Sequence, residues 1–265
     1  MNIAVLLSAG KGLRLGADLP KQYIPVAGHR IITYTLRGLL ENRLVDGVWI
    51  VAEEAWRDEI LHDVSGLVED SFSSKICGFS KGGANRQLSI YNALCDIGDR
   101  GVCLPSANGT RRLTTASGEA VKSVQDTVKQ VALTDEDVIL VQDAVRPLTS
   151  QEQLTTCLTR IEGYDGALPV LPMKDTIYTS RDGKEISGLL DRSTLYAGQA
   201  PEAYRFGKYK KACEGLLPDK ILMINGACEP AVMAGMDIAM FPGDEMNFKI
   251  TTPADLARFE EMVEP

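Results

Sequence analysis

The sequence predicts an α/β fold on a doubly wound, mostly parallel sheet. Short apolar runs typical of buried strands recur along the chain, at residues 3–7, 47–52, 137–141 and 166–172. Segments with apolar residues at helical spacing lie between them, as at 31–40 and 54–70. Glycine-rich or acidic loops follow several of the runs. Because strands alternate with helices, we expect parallel strands joined by right-handed crossovers.

Length and composition narrow the classes of function. A chain of 265 residues with 45% apolar residues can bury one large core, and we expect a single domain over residues 1–265. The net charge of -8 argues against nucleic acid or a membrane as partner, because both require a basic surface. The first apolar run is too short for a signal peptide or a membrane span, so we expect a cytoplasmic protein.

The cysteines and histidines indicate no metal or nucleophilic centre. The six cysteines form no C-x-x-C pair, so the sequence predicts neither a zinc site nor a disulfide framework, and we expect reduced thiols. His29 and His62 have no neighbouring Ser, Cys or Asp in a recognisable catalytic arrangement. We therefore expect a mechanism that works without imidazole.

The first glycine-rich loop follows the first strand. Gly10 and Gly12 let backbone N–H groups approach an anion, which is most often a phosphate. The third glycine of a dinucleotide-binding motif is missing, and no P-loop string occurs. Arg14 and Lys21 add two cations to this loop. The pattern indicates a phosphate site, and the alternative is an ordinary tight turn with solvated cations.

Two later loops carry similar signals. Gly82 and Gly83 lie in the loop 81–89, which also carries Ser89 and stands between a short apolar segment and a predicted helix. At such a junction a ligand can meet backbone N–H groups. Such glycine pairs are also common in loops without a ligand. Asp143 ends the most strand-like run, with Arg146 close behind. It lies where open α/β sheets bind ligands and could hold a divalent cation on a polyphosphate, or it could cap a helix or pair with Arg146.

The last motif combines a lysine with a helix start. Thr252 as N-cap and Asp255 at the third helical position are typical of a capping box, with Pro253 in the first turn. Lys249 lies three residues before Thr252, on a predicted short strand. Lys249 is either a catalytic cation or a solvated surface lysine.

Three other segments differ from the strand and helix alternation. Residues 98–118 are small, polar and aperiodic, and we expect a flexible surface insertion. Valines at helical spacing predict a helix over 119–131. Residues 175–200 contain two β-rich arms around Asp182-Gly183, which predicts a hairpin that leaves the main sheet. A protruding hairpin often serves dimerisation, because its edges must be covered.

Together these motifs resemble the cytidylyltransferases that activate polyol phosphates, the 2-C-methyl-D-erythritol 4-phosphate and ribitol 5-phosphate enzymes. The resemblance covers nearly the whole chain except the stretch around residues 98–118. It rests on A-G-x-G-x-R followed by P-K-Q, G-G-x-x-R-x-x-S, D-A-x-R-P, D-T, Q-x-P and N-x-K-x-T-x-P-x-D-L. It implies a Rossmann-like nucleotidyltransferase sheet, transfer of CMP from CTP to a polyol phosphate, Mg²⁺ as cofactor, and a place in isoprenoid or teichoic acid (cell-wall polyol) precursor synthesis.

The resemblance also implies a role for each motif residue. Arg14, Lys21 and Lys249 are the implied catalytic residues, the first two on the triphosphate and Lys249 at the transition state. The implied nucleotide-binding residues are Ser8, Ala9, Gly10, Gly12, Gly82, Gly83, Ser89 and Asp143, and Asp143 also lies beside the metal. Arg146, Thr176 and Arg192 would bind the polyol phosphate, the last two from the hairpin arm of the other subunit of a homodimer.

The residue types suit this chemistry. A phosphate monoester dianion attacks the α-phosphorus of CTP in line, and pyrophosphate leaves. The nucleophile is already charged at neutral pH, so no general base is required. Positioning and cations are what the protein must supply.

Several positions depart from the family pattern. Ser8 stands where alanine or glycine is usual, Ala84 replaces an Asp or Ser, and 225–228 lacks a Thr-Asp or Ser-Asp pair. Residues 143–147 and 196–201 are more similar to the ribitol branch, whereas the first loop suits either substrate. Two alternatives stay open: a nucleotidyltransferase for another sugar phosphate or base, and a non-catalytic nucleotide-sensing relative. The combination of Arg14, Lys21, Asp143 and Lys249 argues against the sensor.

Overall fold

A computed structural model describes residues 1–10, 19–105 and 128–263. Gly12 and Arg14, two of the predicted site residues, lie outside the described residues. So do residues 106–127, which include most of the predicted insertion. Within the described ranges, no helix is long and apolar enough to span a bilayer.

The strands and helices follow one another along the chain in the alternating order that the sequence predicts. The strands are β1 (Asn2–Leu7), β2 (Pro25–Val26), β3 (His29–Arg30), β4 (Gly47–Val51), β5 (Ile76–Ser80), β6 (Val102–Pro105), β7 (Val128–Val131), β8 (Val138–Asp143), β9 (Gly166–Pro172), β10 (Tyr178–Thr179), β11 (Gly188–Leu189), β12 (Tyr196–Gly198), β13 (Glu202–Arg205) and β14 (Ile238–Pro242). The helices are α1 (Ile31–Glu41), α2 (Arg57–Ser65), α3 (Asp70–Ser73), α4 (Arg86–Arg100), α5 (Gln151–Arg160), α6 (Phe206–Glu214), α7 (Glu229–Met233) and α8 (Pro253–Val263).

Eight strands of the described chain form the central sheet, in the order β12-β9-β13-β8-β1-β4-β5 with β14 also on β9. β1 pairs in parallel with β4 and β8, as do β4 with β5 and β9 with β14. β13 runs antiparallel between β8 and β9, and β12 runs antiparallel to β9. The predicted α/β fold is confirmed. Its sheet is mixed, because β12 and β13 run antiparallel to the neighbouring strands β8 and β9.

Helices cover both faces of the sheet. In β1, Ala4 and Leu6 join the apolar cluster under α1, α2 and α5, while Ile3 and Val5 join the cluster under α4, α6 and α7. All four side chains are fully buried. Strands buried on both faces have continuous apolar sequences, which explains why the sequence marks β1, β4 and β8 so clearly.

Two segments differ from the sequence prediction. Residues 98–100 end α4 and 102–105 form β6, so the described start of the predicted insertion is regular structure. Residues 128–131 form β7, with Val131 opposite Val102 in an antiparallel pair with β6. The prediction of a helix over 119–131 is therefore wrong at 128–131, where the backbone hydrogen bonds go to a neighbouring strand instead of along a helix.

A small hairpin lies within the predicted arm at 175–200. β10 and β11 pair antiparallel, with Tyr178 opposite Leu189, and Gly183 in their connection has a φ of 73°. Apolar side chains of this hairpin are exposed, at 56% for Tyr178, 69% for Ile186 and 65% for Leu189. An isolated two-stranded hairpin is only marginally stable by itself.

Candidate active site

Asp143 lies at the centre of the candidate site. It is the last residue of β8 and stands opposite Leu7 at the end of β1. Three cations surround its carboxylate: the Nζ of Lys249 lies 3.0 Å from Oδ2, the Nη2 of Arg86 lies 3.1 Å from Oδ1, and the Nε of Arg146 lies 3.5 Å from Oδ2. The carboxyl end of the parallel strands therefore holds a compact charge cluster, where open α/β sheets bind ligands.

The surrounding cations determine the charge of this carboxylate. Burial raises the pKa of the Asp143 carboxyl, but Arg86, Lys249 and Arg146 outweigh burial and hold that pKa well below its usual range. Burial by itself would lower the pKa of the Arg86 guanidinium. The negative charges of Asp143 and Glu202 outweigh burial, so the pKa of Arg86 is raised above its usual value. Asp143 and Arg86 are therefore both charged throughout the neutral pH range.

Glu202, the first residue of β13, is the second buried acid of the cluster. Its Oε1 lies 3.4 Å from the Nη2 of Arg86, and its Oε2 accepts a hydrogen bond from the Tyr204 hydroxyl at 2.6 Å. Burial raises the pKa of the Glu202 carboxyl despite the opposing effect of Arg86. Arg86 therefore joins two acids that come from neighbouring strands of the sheet.

The C-terminal motif brings two lysines to this cluster. The backbone N–H of Ile250 donates to the carbonyl of Val145 at 2.9 Å, which places Lys249 beside the loop after β8. The Nζ of Lys21 donates to the carbonyl of Ile250 at 3.0 Å. Lys21 and Lys249, which are far apart in sequence, thus meet at one backbone segment.

The predicted capping box at the start of α8 is confirmed. The backbone N–H of Asp255 donates to the Oγ1 of Thr252 at 3.2 Å, and the N–H of Thr252 donates to the Oδ2 of Asp255 at 2.8 Å. The hydroxyl of Thr251 donates to the same oxygen at 2.9 Å. These bonds fix the backbone directly after Lys249 and therefore the direction in which its side chain leaves.

Hydrogen bonds to its backbone carbonyl groups fix the position of the segment Ser8–Gly10. The Nε2 of Gln22 donates to the carbonyls of Ser8 and Gly10, the latter at 2.7 Å. The hydroxyl of Ser8 donates to the carbonyl of Val51 at 2.7 Å. Because Ser8 is buried and bonded inward, its backbone is what this segment can offer to a ligand.

The second glycine loop lies against the first. A Cβ added at Gly82 would lie 2.4 Å from the Cβ of Ala9, so this contact requires glycine. The N–H of Gly83 donates to the hydroxyl of Ser89 at 2.9 Å, and that hydroxyl donates to the carbonyl of Asn85 at 2.8 Å. Asn85 caps α4 by accepting from the N–H of residue 88. The two loops form one wall beside the N-terminus of α4.

The segment 225–228, which departs from the family pattern, is bonded to α7. The N–H groups of Asn225 and Gly226 donate to the Oε1 of Glu229 at 3.0 and 2.7 Å. The hydroxyl of Tyr209 donates to the carbonyl of Ala227 at 2.7 Å. Ala84, the other departure, is exposed.

The residues predicted to bind the polyol phosphate divide into two places. Arg146 belongs to the charge cluster, and its Nη1 donates to the carbonyl of Asn247. Thr176 and Arg192 are exposed at the two sides of the hairpin arm, and the Nη1 of Arg192 donates to the carbonyl of Lys174 at 2.7 Å. Within the described part of the chain, neither has a hydrogen bond or ion pair to Asp143.

The structure thus joins most of the predicted residues in two adjoining groups. Lys21, Asp143, Arg146 and Lys249 form one, and Ser8, Ala9, Gly10, Gly82, Gly83 and Ser89 form the other. Sequence reasoning missed Arg86 and Glu202 as site residues. Arg86 could have been found from its place in the G-G-x-x-R-x-x-S motif, and Glu202 directly follows Q-x-P.

The carboxylate of Asp143 can serve as one protein ligand of a Mg²⁺ ion whose other ligands come from substrate and water. Among the described residues, no group of three or more His, Cys, Asp or Glu side chains could hold a metal ion. Mg²⁺ commonly binds through one or two carboxylates, with phosphate oxygens and water as its other ligands. A single carboxylate at a strand end, with the two glycine loops beside it, fits a metal that arrives with a polyphosphate.

Known proteins match the chain over almost its whole length. The family profile described as IspD, 2-C-methyl-D-erythritol 4-phosphate cytidylyltransferase, matches residues 2–115 and 112–265. A 2-C-methyl-D-erythritol 4-phosphate cytidylyltransferase from Geobacter metallireducens is 31% identical over 260 residues, which cover 98% of this chain and 96% of the relative. A ribitol-5-phosphate cytidylyltransferase from Lacticaseibacillus paracasei is 26% identical over 262 residues, with 98% and 97% covered.

Solved structures agree in fold. The 2-C-methyl-D-erythritol 4-phosphate cytidylyltransferase of Francisella tularensis superposes with a TM-score of 0.70 at 21% identity, covering 98% of this chain and 99% of that one. A 4-diphosphocytidyl-2C-methyl-D-erythritol synthase gives a TM-score of 0.70 at 19% identity, with 99% and 98% covered. At these identities the likeness establishes the shared α/β architecture.

Proposed function

We propose, because this chain belongs to the 2-C-methyl-D-erythritol 4-phosphate cytidylyltransferase family, that it transfers CMP from CTP to a polyol phosphate and releases pyrophosphate. The family predicted from the sequence motifs is confirmed. The acceptor is 2-C-methyl-D-erythritol 4-phosphate or ribitol 5-phosphate, since cytidylyltransferases named for each of these two acceptors match the chain nearly end to end. The observation that carries the proposal is the convergence of Arg86, Arg146 and Lys249 on Asp143 at the strand ends.

The reaction needs cations more than it needs a proton carrier. A phosphate oxygen of the acceptor forms a bond to the α-phosphorus while the bond to pyrophosphate breaks, and negative charge spreads over the transferring group and the leaving group. We assign stabilisation of that charge to Lys249, whose side chain is 37% exposed and whose Nζ can exchange Asp143 for a phosphate oxygen. Lys21, bonded to the next carbonyl, would bind the triphosphate together with Arg14.

The cytosine end of CTP would lie against the wall formed by the two glycine loops. The segment Ser8–Gly10, with Gly12 beyond it, and the pair Gly82-Gly83 would offer backbone groups to the nucleotide, with Ser89 behind them. This assignment is supported by the contact of Ala9 with Gly82, which leaves no room for a larger side chain. The hydrogen bond from the backbone N–H of Gly83 to the hydroxyl of Ser89 supports it as well.

Mg²⁺ would be held by Asp143 and would neutralise part of the triphosphate charge. Arg86 contacts Oδ1 of this carboxylate, while Lys249 and Arg146 face Oδ2. If Lys249 moves to the substrate, Arg86 keeps the carboxylate charged and oriented. The pair Arg86 and Glu202 therefore positions Asp143.

The acceptor would be bound by residues of two subunits. Arg146 lies in the charge cluster, whereas Thr176 and Arg192 are exposed on the hairpin arm. We assign Thr176 and Arg192 to the site of a second copy of the chain in a homodimer. The exposed apolar side chains of the arm support this assignment, since contact with another subunit would cover them.

The experiment that tests this function is pyrophosphate release with CTP and Mg²⁺, run in parallel with the two polyol phosphates. We expect turnover with CTP and one of the two acceptors, and no comparable turnover with ATP, GTP or UTP. Silence with both acceptors in a protein that binds CTP would contradict the proposal. It would favour another acceptor or a non-catalytic nucleotide-sensing relative.

A further inference from the structure

A cavity of about 410 Å³ lies at the edge of the sheet, outside the charge cluster. It is formed by the first residue of α2, the end of β5 and the second half of α4. β5 is the last strand on this side of the described sheet. The volume is in the range of small-molecule sites, and no step of the proposed reaction uses it.

The cavity is lined by three cations and one carboxylate. Arg57, Lys81 and Arg100 give a positive balance against the single acid Asp96, in a chain whose net charge is -8. Asp96 already accepts a hydrogen bond from the Ser80 hydroxyl and pairs with Arg100 at 3.1 Å. Lys81 lies 3.9 Å from Glu54 at the surface, where such pairs are weak. The balance favours an anionic occupant.

Aromatic rings hold the two guanidinium groups in place. The Cζ of Arg57 lies 5.4 Å from the centre of the Phe79 ring, and the Cζ of Arg100 lies 4.9 Å from the centre of the Trp49 ring. The Nη2 of Arg100 also donates to the carbonyl of Phe79 at 3.1 Å. Planar groups that are already oriented lose little conformational freedom when they bind a ligand.

We propose that this cavity binds a small anion carrying a phosphate or diphosphate group, at a site separate from the nucleotide site. A guanidinium group can donate two parallel hydrogen bonds to two oxygens of one phosphate. The Asn92 amide and the Lys81 ammonium line the same cavity. Lys81 immediately precedes Gly82 and Gly83. An anion held here therefore contacts the residue that leads into the proposed nucleotide wall.

Cys95 provides a direct reporter, because its half-buried thiol lines the cavity. The full-length protein is treated with a neutral maleimide, and modification of each cysteine is followed by mass spectrometry. Inorganic phosphate or pyrophosphate is added at constant ionic strength, with chloride as the matched salt. We expect pyrophosphate, and more weakly phosphate, to slow modification of Cys95 several-fold and to leave Cys103, outside the cavity, unchanged.

Three variants distinguish this site from the nucleotide site. Arg57→Gln should raise the pyrophosphate concentration needed for protection about tenfold or more, because it removes one of the two guanidinium groups that line the cavity. Arg57→Lys keeps the charge, should give an intermediate value, and carries the test if Arg57→Gln does not fold. Lys249→Ala, at the nucleotide site, should leave protection of Cys95 unchanged.

Arg37→Gln is the matched control, since Arg37 pairs with Glu41 on the surface of α1 away from the cavity. It should behave like the wild type. Three results would overturn the proposal: no protection of Cys95 in the wild type, equal protection in Arg57→Gln, or loss of protection in Lys249→Ala. The last would mean that the anion acts from the nucleotide site.

Discussion

Arg86 has the most demanding environment of the site residues. It is held between the carboxylates of Asp143 and Glu202, both of which are largely buried. Removal of one partner from a buried ionic group is far more destabilising than loss of a surface pair, because the remaining charges stay in a medium that solvates them poorly. The arrangement that orients Asp143 therefore also contributes to stability.

Replacement of Arg86 tests this stabilising role. We expect Arg86→Gln to lower the free energy of unfolding by about 3 kcal/mol, since two buried acids lose their shared cation. Adding Glu202→Gln should recover part of the loss, because one uncompensated carboxylate disappears. Urea unfolding at pH 7 measures both effects. Arg37→Gln, which breaks a surface pair with Glu41, should cost less than about 1 kcal/mol, and an equally small cost for Arg86→Gln would contradict the account.

Arg86 and Glu202 also show where sequence reasoning ends at the residue scale. The motifs predicted Lys21, Asp143, Arg146 and Lys249, because each ends a strand or lies in a loop with recognisable spacing. Arg86 stands 57 residues from Asp143 and 116 from Glu202. No local pattern specifies such a pairing. It follows from the antiparallel return of β13 beside β8, which only the folded sheet reveals.

The capping box at α8 is a local element whose effect reaches the site. Burial raises the pKa of the Asp255 carboxyl, but hydrogen bonds from Thr251 and Thr252 outweigh burial and lower that pKa below its usual value. A carboxyl with a lowered pKa stabilises the fold above its unfolded pKa of about 4. That contribution is lost as the pH falls through the pKa of the folded state.

Asp255→Asn tests this element. We expect the substitution to lower the free energy of unfolding by about 1 kcal/mol at pH 7, because the box loses its charged acceptor. The difference from the wild type should shrink as the pH falls below about 4, where protonation removes the same charge from the wild type. Denaturant unfolding over a pH series measures it. A difference that grows on acidification would contradict this sign.

The segment that ends in β7 shows why one element was predicted wrongly. Its valines recur at helical spacing, and nothing in the local sequence specifies a strand. Residues 128–131 pair with 102–105, which lie 26 residues earlier in the chain. Strand preference depends strongly on the partner strand. β1, β4 and β8 were predicted correctly because burial on both faces requires a continuous apolar sequence that can be read without knowing the partner.

At the scale of the whole molecule, the residues proposed to bind the two substrates lie in two places. The wall formed by the glycine loops and the charge cluster belong to the body of the chain, whereas Thr176 and Arg192 lie on the hairpin arm. The exposed side chains of Tyr178, Ile186 and Leu189 would be costly to leave in water together. A second copy of the chain that covers them would also complete the acceptor site.

Assembly can be tested by changing the arm. Ile186→Ser combined with Leu189→Ser should shift a dimer toward monomer, because it removes the two most exposed apolar side chains of the arm. Light scattering after size-exclusion chromatography measures the mass. Met223→Ser is the control, since Met223 is 78% exposed but lies outside the arm. A wild type that stays monomeric, or a double variant that stays dimeric, would contradict the proposed assembly.

The proposed mechanism requires that cations at the strand ends act on the transition state of cytidylyl transfer. The most direct test is Lys249→Ala, with kcat measured by pyrophosphate release and CTP affinity measured by calorimetry without acceptor. We predict that kcat falls about a hundredfold or more while the Kd for CTP changes less than about tenfold, because Lys249 is bonded to Asp143 before substrate arrives. Equal losses in kcat and affinity, or an unchanged kcat, would contradict the claim.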